Sequence, residues 1–220
     1  MASAIMACMC LFRRSSSLLL FLVASGLAAP RPHTVLLGKW RTVKVVADSG
    51  QARDVKIREL IVDARSREYT IGLSHEVTDR LFVIQRVYRV NDALSDDQLK
   101  SPQWIWRLGG WISVDRRTGH IAQLNLPAFD PETSDAAWYR EYAAYCGIAD
   151  DGAKAYLIVW QLGKRKPALR KELDGPGCAP PKWERDPSRV TFMAAGEKNT
   201  FIVHTRGADP QPESGEEGPE

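Results

Sequence analysis

The chain has 220 residues, a formal net charge of +3 and 44% hydrophobic residues. That length fits one domain and its leader, and the hydrophobic content is enough to build a buried core. The charge is too small for a dedicated nucleic-acid binder, which carries a strongly basic face, and we find no strong nucleic-acid signal.

The amino terminus has the pattern of a secretory signal peptide. Arg13 and Arg14 precede an apolar run over 18–24, and small residues follow at 25–29. This order of charged, apolar and small residues is typical of such peptides. The alternative is a membrane anchor, but a spanning helix needs about 20 apolar residues. We therefore predict a signal peptide over 1–28, a secreted or periplasmic protein, and no transmembrane segment in the mature chain.

Cleavage would leave two cysteines in the mature chain, and the mature chain would end in an acidic segment. Cys8 and Cys10 leave with the signal peptide, so Cys146 and Cys178 remain, and an exported protein most plausibly pairs them. The rival interpretation is a nucleophilic cysteine, which would need a free thiol. The segment 207–220 contains five carboxylates and no basic residue, which predicts a disordered acidic tail.

The first half of the mature chain is typical of short β-strands. Segments rich in β-branched residues and bounded by turn residues predict strands over 34–47, 55–63, 68–72 and 81–90. The segment 111–124 predicts a hairpin, in which Gly119 provides a positive φ angle.

One helix is predicted over 135–146. Ser134 is a suitable N-cap, and Trp138, Tyr142 and Tyr145 recur at the spacing of a buried helical stripe. Gly147 then ends the helix.

Two further hairpins are predicted downstream, over 154–173 and 189–204. The sum is a mainly β single domain over 29–206, with about eight to ten short antiparallel strands arranged as a sandwich or a barrel. The alternative is a small propeller-like fold, because the hairpins over 111–124 and 154–173 are similar to those of β-propeller blades.

Two surface features are candidate binding sites. A basic cluster comprises Lys164, Arg165, Lys166, Arg170 and Lys171, and it predicts an anion-binding site. The alternative is a solvated turn that keeps a sheet edge soluble. An aromatic cluster comprises Trp104, Trp106 and Trp111, which would stack on sugar rings if they are exposed and would form core if they are buried.

Patterns for catalysis or metal binding are weak. His75, Glu76 and Asp79 resemble part of a zinc-protease motif, but the second histidine is absent, which favours a polar loop. Glycoside hydrolysis would need two carboxylates roughly 5–10 Å apart, and the candidates are Asp63, Glu68, Asp115 and Asp130. We predict no metal, no cofactor and no catalytic residue.

These observations favour an exported, non-enzymatic binding or structural module of the cell envelope, with an anionic or glycan polymer as the candidate partner. The alternative is an exported hydrolase that acts on a glycan or another envelope polymer. A third possibility is adhesion to, or inhibition of, another protein through an exposed hairpin.

Overall fold

The computed structural model describes residues 33–94, 100–149, 152, 154–173, 175, 177–185, 187–204 and 207–210. The predicted signal peptide over 1–28 and the tail beyond 210 lie outside these residues. The described chain is mainly β and contains fifteen strands in three sheets, which confirms the predicted fold class.

The first sheet is built from the amino-terminal half of the chain. Its seven strands are β1 (Val35–Leu37), β2 (Arg41–Val46), β3 (Ala52–Val62), β4 (Arg65–Glu76), β5 (Leu81–Asn91), β6 (Trp104–Asp115) and β7 (Ile121–Gln123). The turn between β3 and β4 has two central residues, Asp63 and Ala64, with φ angles of 51° and 61°. Positive φ at both positions matches the twist of the flanking strands in a two-residue hairpin.

Strand pairing closes five of these strands into a barrel. β3 pairs with both β2 and β4, β5 pairs with β4 and β6, and β6 returns to β2. The closing pair is parallel and places Val45 opposite Trp106. A meander of five strands must close in this way, because its first and last strands run in the same direction. Closure removes the open edges that would otherwise pair with other chains.

Two apolar clusters fill the barrel. They consist of Leu60, Phe82, Ile84, Ile112 and Val114, and of Val45, Ile57, Val87 and Leu108. Alternation along β5 and β6 then points Val83 and Trp111 outward, where they contact the second sheet. β5 and β6 are therefore buried on the side that faces the barrel interior and, for part of their length, covered on the other side by the second sheet.

The second sheet packs between the barrel and the third sheet. Its strands are β8 (Ala137–Tyr139), β9 (Tyr142–Ile148), β10 (Ala155–Gln161) and β11 (Leu169–Leu173). Ala143, Tyr145, Ile158 and Trp160 face the barrel. The alternate residues, including Cys146 and Leu157, face the third sheet.

The third sheet consists of β12 (Lys182–Glu184), β13 (Arg189–Ala194), β14 (Glu197–His204) and β15 (Gly207–Pro210). Val190, Phe192 and Phe201 cover the second sheet. The predicted disulfide between Cys146 and Cys178 is confirmed, with Cα atoms 6.0 Å apart. Its bridge joins β9 to a segment that itself pairs with the third sheet at Ala194. The sheets are thus stacked, unlike the blades of the propeller-like alternative.

The prediction of a helix over 135–146 is wrong, because this segment forms β8, a turn and β9. Arg140 has a φ angle of 49° in the turn, which no α-helix allows. Ser134 is buried, and its hydroxyl donates to the Cys146 carbonyl over 2.6 Å instead of capping a helix. Tyr142 and Tyr145 point to opposite layers, so their spacing reflects burial on both faces of β9.

The other strand predictions hold with corrected boundaries. The hairpins over 111–124, 154–173 and 189–204 are confirmed as β6–β7, β10–β11 and β13–β14, and Gly119 has the expected positive φ angle of 64°. The number of strands exceeds the predicted eight to ten, since several three-residue segments pair at sheet edges. The beginning of the predicted tail pairs with β14 as β15.

Candidate functional site: arginines and aromatic rings on the barrel

The structure separates the three tryptophans of the predicted platform. Trp104 and Trp106 lie two residues apart on β6 and share a face, and Trp104 is 54% exposed. Trp111 is only 8% exposed and packs against Trp138, with ring centroids 5.3 Å apart. Two of the three residues therefore remain available to a ligand, and Trp111 is core.

Two arginines complete a surface that we call the arginine–aromatic ladder, formed by Trp104, Arg89, Trp106, Arg41 and Tyr69. The Arg89 Cζ atom lies 5.2 Å from the Trp104 ring centroid and 5.6 Å from that of Trp106. The Arg41 Cζ atom lies 4.7 Å from the Tyr69 ring and 5.4 Å from the Trp106 ring. Cationic groups at these distances are attracted to the ring faces by about 0.5–1 kcal/mol each at exposed sites.

Strand register explains why the ladder forms. Arg89 on β5 lies directly opposite Trp106 on β6, and directly opposite side chains interact in an antiparallel pair. Arg41 reaches the same ring from β2, because the closing pair of the barrel brings β2 beside β6. Tyr69 arrives from β4 and meets Trp106 edge to face, with centroids 4.9 Å apart.

The ladder has a buried side and an exposed side. Tyr69 and Trp106 pack on the apolar cluster of Val45 and its neighbours, which fixes their rings. Arg41, Arg89 and Trp104 are exposed. In the part of the chain that the structure describes, neither arginine lies within salt-bridge distance of a carboxylate. The ladder therefore presents two cations and a flat ring to solvent on a rigid support.

A second pair of the same kind lies on neighbouring strands. The Arg58 Cζ atom is 4.3 Å from the ring of Trp40, which is 44% exposed. The Arg58 Nη2 atom donates to the Gly72 carbonyl over 3.4 Å, and burial lowers the pKa of Arg58 below its usual range. Because Arg58 is already held by this carbonyl and partly buried, it is less available to a ligand than the ladder arginines.

The predicted basic cluster divides into three parts. Lys164, Arg165 and Lys166 are exposed together in the loop after β10, which the Trp160 indole holds by donating to the Lys164 carbonyl over 2.8 Å. Arg170 covers the Tyr156 ring at 4.0 Å. Lys171 points to the other face of β11 and donates to the Asn199 side chain over 2.7 Å. Only the three loop residues therefore form a shared patch of charge.

The candidate metal residues lie on different sides of a strand. His75 and Glu76 end β4 instead of forming the predicted polar loop, so they point to opposite faces. The His75 Nε2 atom is 2.8 Å from the Arg140 carbonyl oxygen. Arg116 donates to both oxygens of Glu76, and this hydrogen bonding lowers the pKa of that carboxyl. Among the residues described, no three histidine, cysteine or acidic side chains are grouped to hold a metal ion.

The carboxylates considered for glycoside hydrolysis are each held by a neighbour. Asp63 binds His33, Glu68 binds Arg86, Asp115 binds Arg80, and Asp130 binds Thr133. Hydrogen bonding to Arg80 also keeps the pKa of Asp115 far below its usual range. Asp63 and Glu68 lie on the β3–β4 hairpin, Asp115 ends β6, and Asp130 lies in the loop before β8, so each acid makes a local turn or strand contact.

No protein-family model, curated protein or solved structure matches this chain. Within the described ranges, no helix has the length and apolar character needed to cross a membrane. Arg41, Tyr69 and Arg89 belong to the candidate site, although the sequence did not indicate them. The two arginines lie on the strands on either side of the tryptophan strand, and this arrangement becomes visible only when the strand pairing is known.

Proposed function

We propose that this chain is an exported, non-enzymatic binding module of the cell envelope, and that its ligand is an acidic glycan polymer bound by the arginine–aromatic ladder. The observation that carries the proposal is the alternation of exposed cations with aromatic rings on one rigid surface. Arg89 lies between Trp104 and Trp106, and Arg41 lies between Trp106 and Tyr69.

The chemistry of the ladder suits a charged sugar. The apolar face of a pyranose ring stacks on aromatic rings, and the exposed Trp104 is accessible for such a contact. The guanidinium group has a planar fork of N–H donors that matches carboxylate and sulfate geometry. Repeating acidic sugars place both kinds of group along one chain. Single-stranded nucleic acid uses similar contacts, but the mature chain would have a net charge of only +1 after Arg13 and Arg14 leave with the signal peptide, which is small for such a binder.

Export is supported by two independent features. One is the predicted signal peptide over 1–28, and the other is the disulfide between Cys146 and Cys178, a bond that persists in oxidising compartments. Mass spectrometry of the protein recovered from its natural location should find an amino terminus at Ala29. Recovery of a chain that retains residues 1–28 would contradict the export proposal.

Binding to defined polymers tests the ligand class. We expect wild-type protein to bind polygalacturonate or heparin in a calorimetric titration at 0.15 M salt, and not to bind neutral dextran. Trp104→Ala and Arg89→Gln should each weaken binding by roughly 5- to 150-fold, since ring stacking and charged hydrogen bonds contribute about 1–3 kcal/mol.

The basic loop provides a matched control. The triple variant Lys164→Gln, Arg165→Gln and Lys166→Gln removes more charge than the ladder variants, and all three residues are exposed. It should retain the affinity within about threefold, because long-range charge alone is screened over about 8 Å at this salt concentration. If the loop variant lost binding and the ladder variants kept wild-type affinity, the ligand would bind at the loop. Equal or stronger binding to single-stranded DNA would change the ligand class.

A further inference from the structure

A cavity of about 280 Å³ lies beside the ladder, at the turn between β2 and β3. It is lined by β2, β3, β6 and the loop before β8. The lining residues are Val45, Ala47, Ser49, Gln51, Ala52, Arg53, Leu108, Glu132 and Thr133. Ligand sites for drug-sized molecules measure about 300–1,000 Å³, so this cavity has room for one sugar residue and not for a chain.

The cavity and the ladder both contact the same apolar cluster, through Val45 and Leu108. Val45 lines the cavity and is also the strand partner of Trp106. Leu108 lines the cavity from the position two residues beyond Trp106 on β6, and both belong to the apolar cluster on which the Trp106 ring packs. A sugar chain that extends past Trp106 would therefore lie next to the cavity.

The lining has the chemistry of a sugar-binding site. Ala47 and Ala52 offer accessible apolar surface, with the buried Val45 and Leu108 beneath them. Ser49, Gln51 and Arg53 are exposed at the rim. Across the described residues, the side chains of these three make no hydrogen bond or ion pair. The rim thus offers a hydroxyl, an amide and a guanidinium group that are available to hydroxyl and carboxylate groups.

One wall of the cavity is fixed by Glu132. Its two carboxylate oxygens accept the Asp48 backbone N–H over 2.8 and 3.1 Å, which ties the loop to the β2–β3 turn. Arg107 binds Asp48 over 2.8 Å and lies 3.9 Å from Glu132, so it offsets the negative charge of both. A polymer could pass through this side only by separating the loop from the turn.

We infer that the cavity holds the terminal acidic sugar of the glycan chain, with its ring against the apolar part of the lining and its carboxylate or sulfate on Arg53, so that the protein binds chain ends. This inference rests on the proposed function, since the ladder is what delivers the chain. Beyond the proposed function, it gives a position for one sugar and predicts that one protein binds per accessible chain end.

The test uses polygalacturonate chains of defined length, with heparin-derived chains as the sulfated series. Calorimetry and sedimentation should give one protein bound per chain, whether the chain has four or forty residues. Free galacturonate, or a heparin-derived disaccharide in the sulfated series, should compete with the polymer. Arg53→Gln should weaken the binding of short oligosaccharides by at least fivefold, and Arg53→Lys should weaken it less.

Lys56→Gln is the matched control for Arg53→Gln. Lys56 is exposed on the same strand, carries the same charge and does not line the cavity. It should leave oligosaccharide binding within about twofold of wild type. Several proteins bound per long chain, with no effect of Arg53→Gln, would overturn end binding and leave the ladder function standing. Absence of binding to every polymer and monomer of both series would overturn the proposed function and this inference together.

Discussion

Removal of the Cys146–Cys178 disulfide should destabilise the whole stack of sheets. The bond closes a loop with a sequence separation of 32. For this length the loop-closure entropy relation gives about 12 cal/mol/K, or about 3.7 kcal/mol at 25 °C. Cys146 also belongs to the buried cluster between the second and third sheets, so its loss removes packing there. We expect a lower free energy of unfolding in the variant Cys146→Ala, Cys178→Ala.

The assay is thermal unfolding of the wild type with and without reductant, alongside the double variant. A domain of this size shifts its melting temperature by about 2–4 °C per kcal/mol, so reduction should lower it by about 7–15 °C. The double variant should melt in the same lower range and should not respond to reductant.

A local readout accompanies the global one. The Ala179 amide donates to the Met193 carbonyl over 2.9 Å, next to the disulfide. Hydrogen exchange at Ala179 should accelerate on reduction, because the bridge no longer restrains that segment. An unchanged melting temperature, in protein whose two thiols are shown by alkylation to be free, would show that the disulfide does not stabilise the fold.

Four further substitutions test the packing between layers, a hydrogen bond in the core and an ion pair. Gly147→Ala should lower the free energy of unfolding in urea by about 1–3 kcal/mol, because the new Cβ atom would lie 2.6 Å from the Ile158 side chain. Gly110→Ala is the control: its Cβ atom would have nothing within 4 Å, so the free energy of unfolding should change by less than about 1 kcal/mol. Equal effects of the two would contradict the packing. Tyr145→Phe should lose about 1–2 kcal/mol, because the hydroxyl donates to a backbone carbonyl over 2.8 Å in the core, and wild-type stability would exclude a role for that bond. Glu76→Gln should lose less than about 1 kcal/mol at pH 7, because the side chain is 53% exposed. The pKa of Glu76 is lowered on folding, so its contribution is present above pH about 4.5 and disappears as the pH falls through the folded pKa. A difference in unfolding free energy between wild type and Glu76→Gln that grows toward pH 3 would contradict this pH dependence.

Local sequence signals were sufficient for the hairpins and the disulfide. The turn around Gly119 is specified by the residue that tolerates its φ angle of 64°, and the two cysteines were the ones left by the predicted cleavage. Barrel closure was not visible, because the parallel pair of Val45 and Trp106 joins positions 61 residues apart, and nothing local specifies it. The ladder depends on this closure, and so it was missed as well.

The erroneous helix has a definite physical cause. β9 lies between two layers, and all of its residues up to Gly147 are buried. A strand buried on both faces loses the alternation of polar and apolar residues that identifies strands. The aromatic residues at 138, 142 and 145 then matched a helical spacing by coincidence. A similar limit applies to the tryptophan platform. All three tryptophans lie on one strand, but the sequence did not show that Trp111 is buried whereas Trp104 is exposed.

The most direct test of the ladder as a glycan-binding surface is a two-dimensional NMR titration that follows the tryptophan indole N–H signals as acidic oligosaccharide is added. We expect the signals of Trp104 and Trp106 to shift in a saturable way. The signals of Trp111 and Trp160, which are buried, should stay in place. Shifts confined to the loop of Lys164, with the Trp104 and Trp106 signals unmoved at saturation, would contradict it.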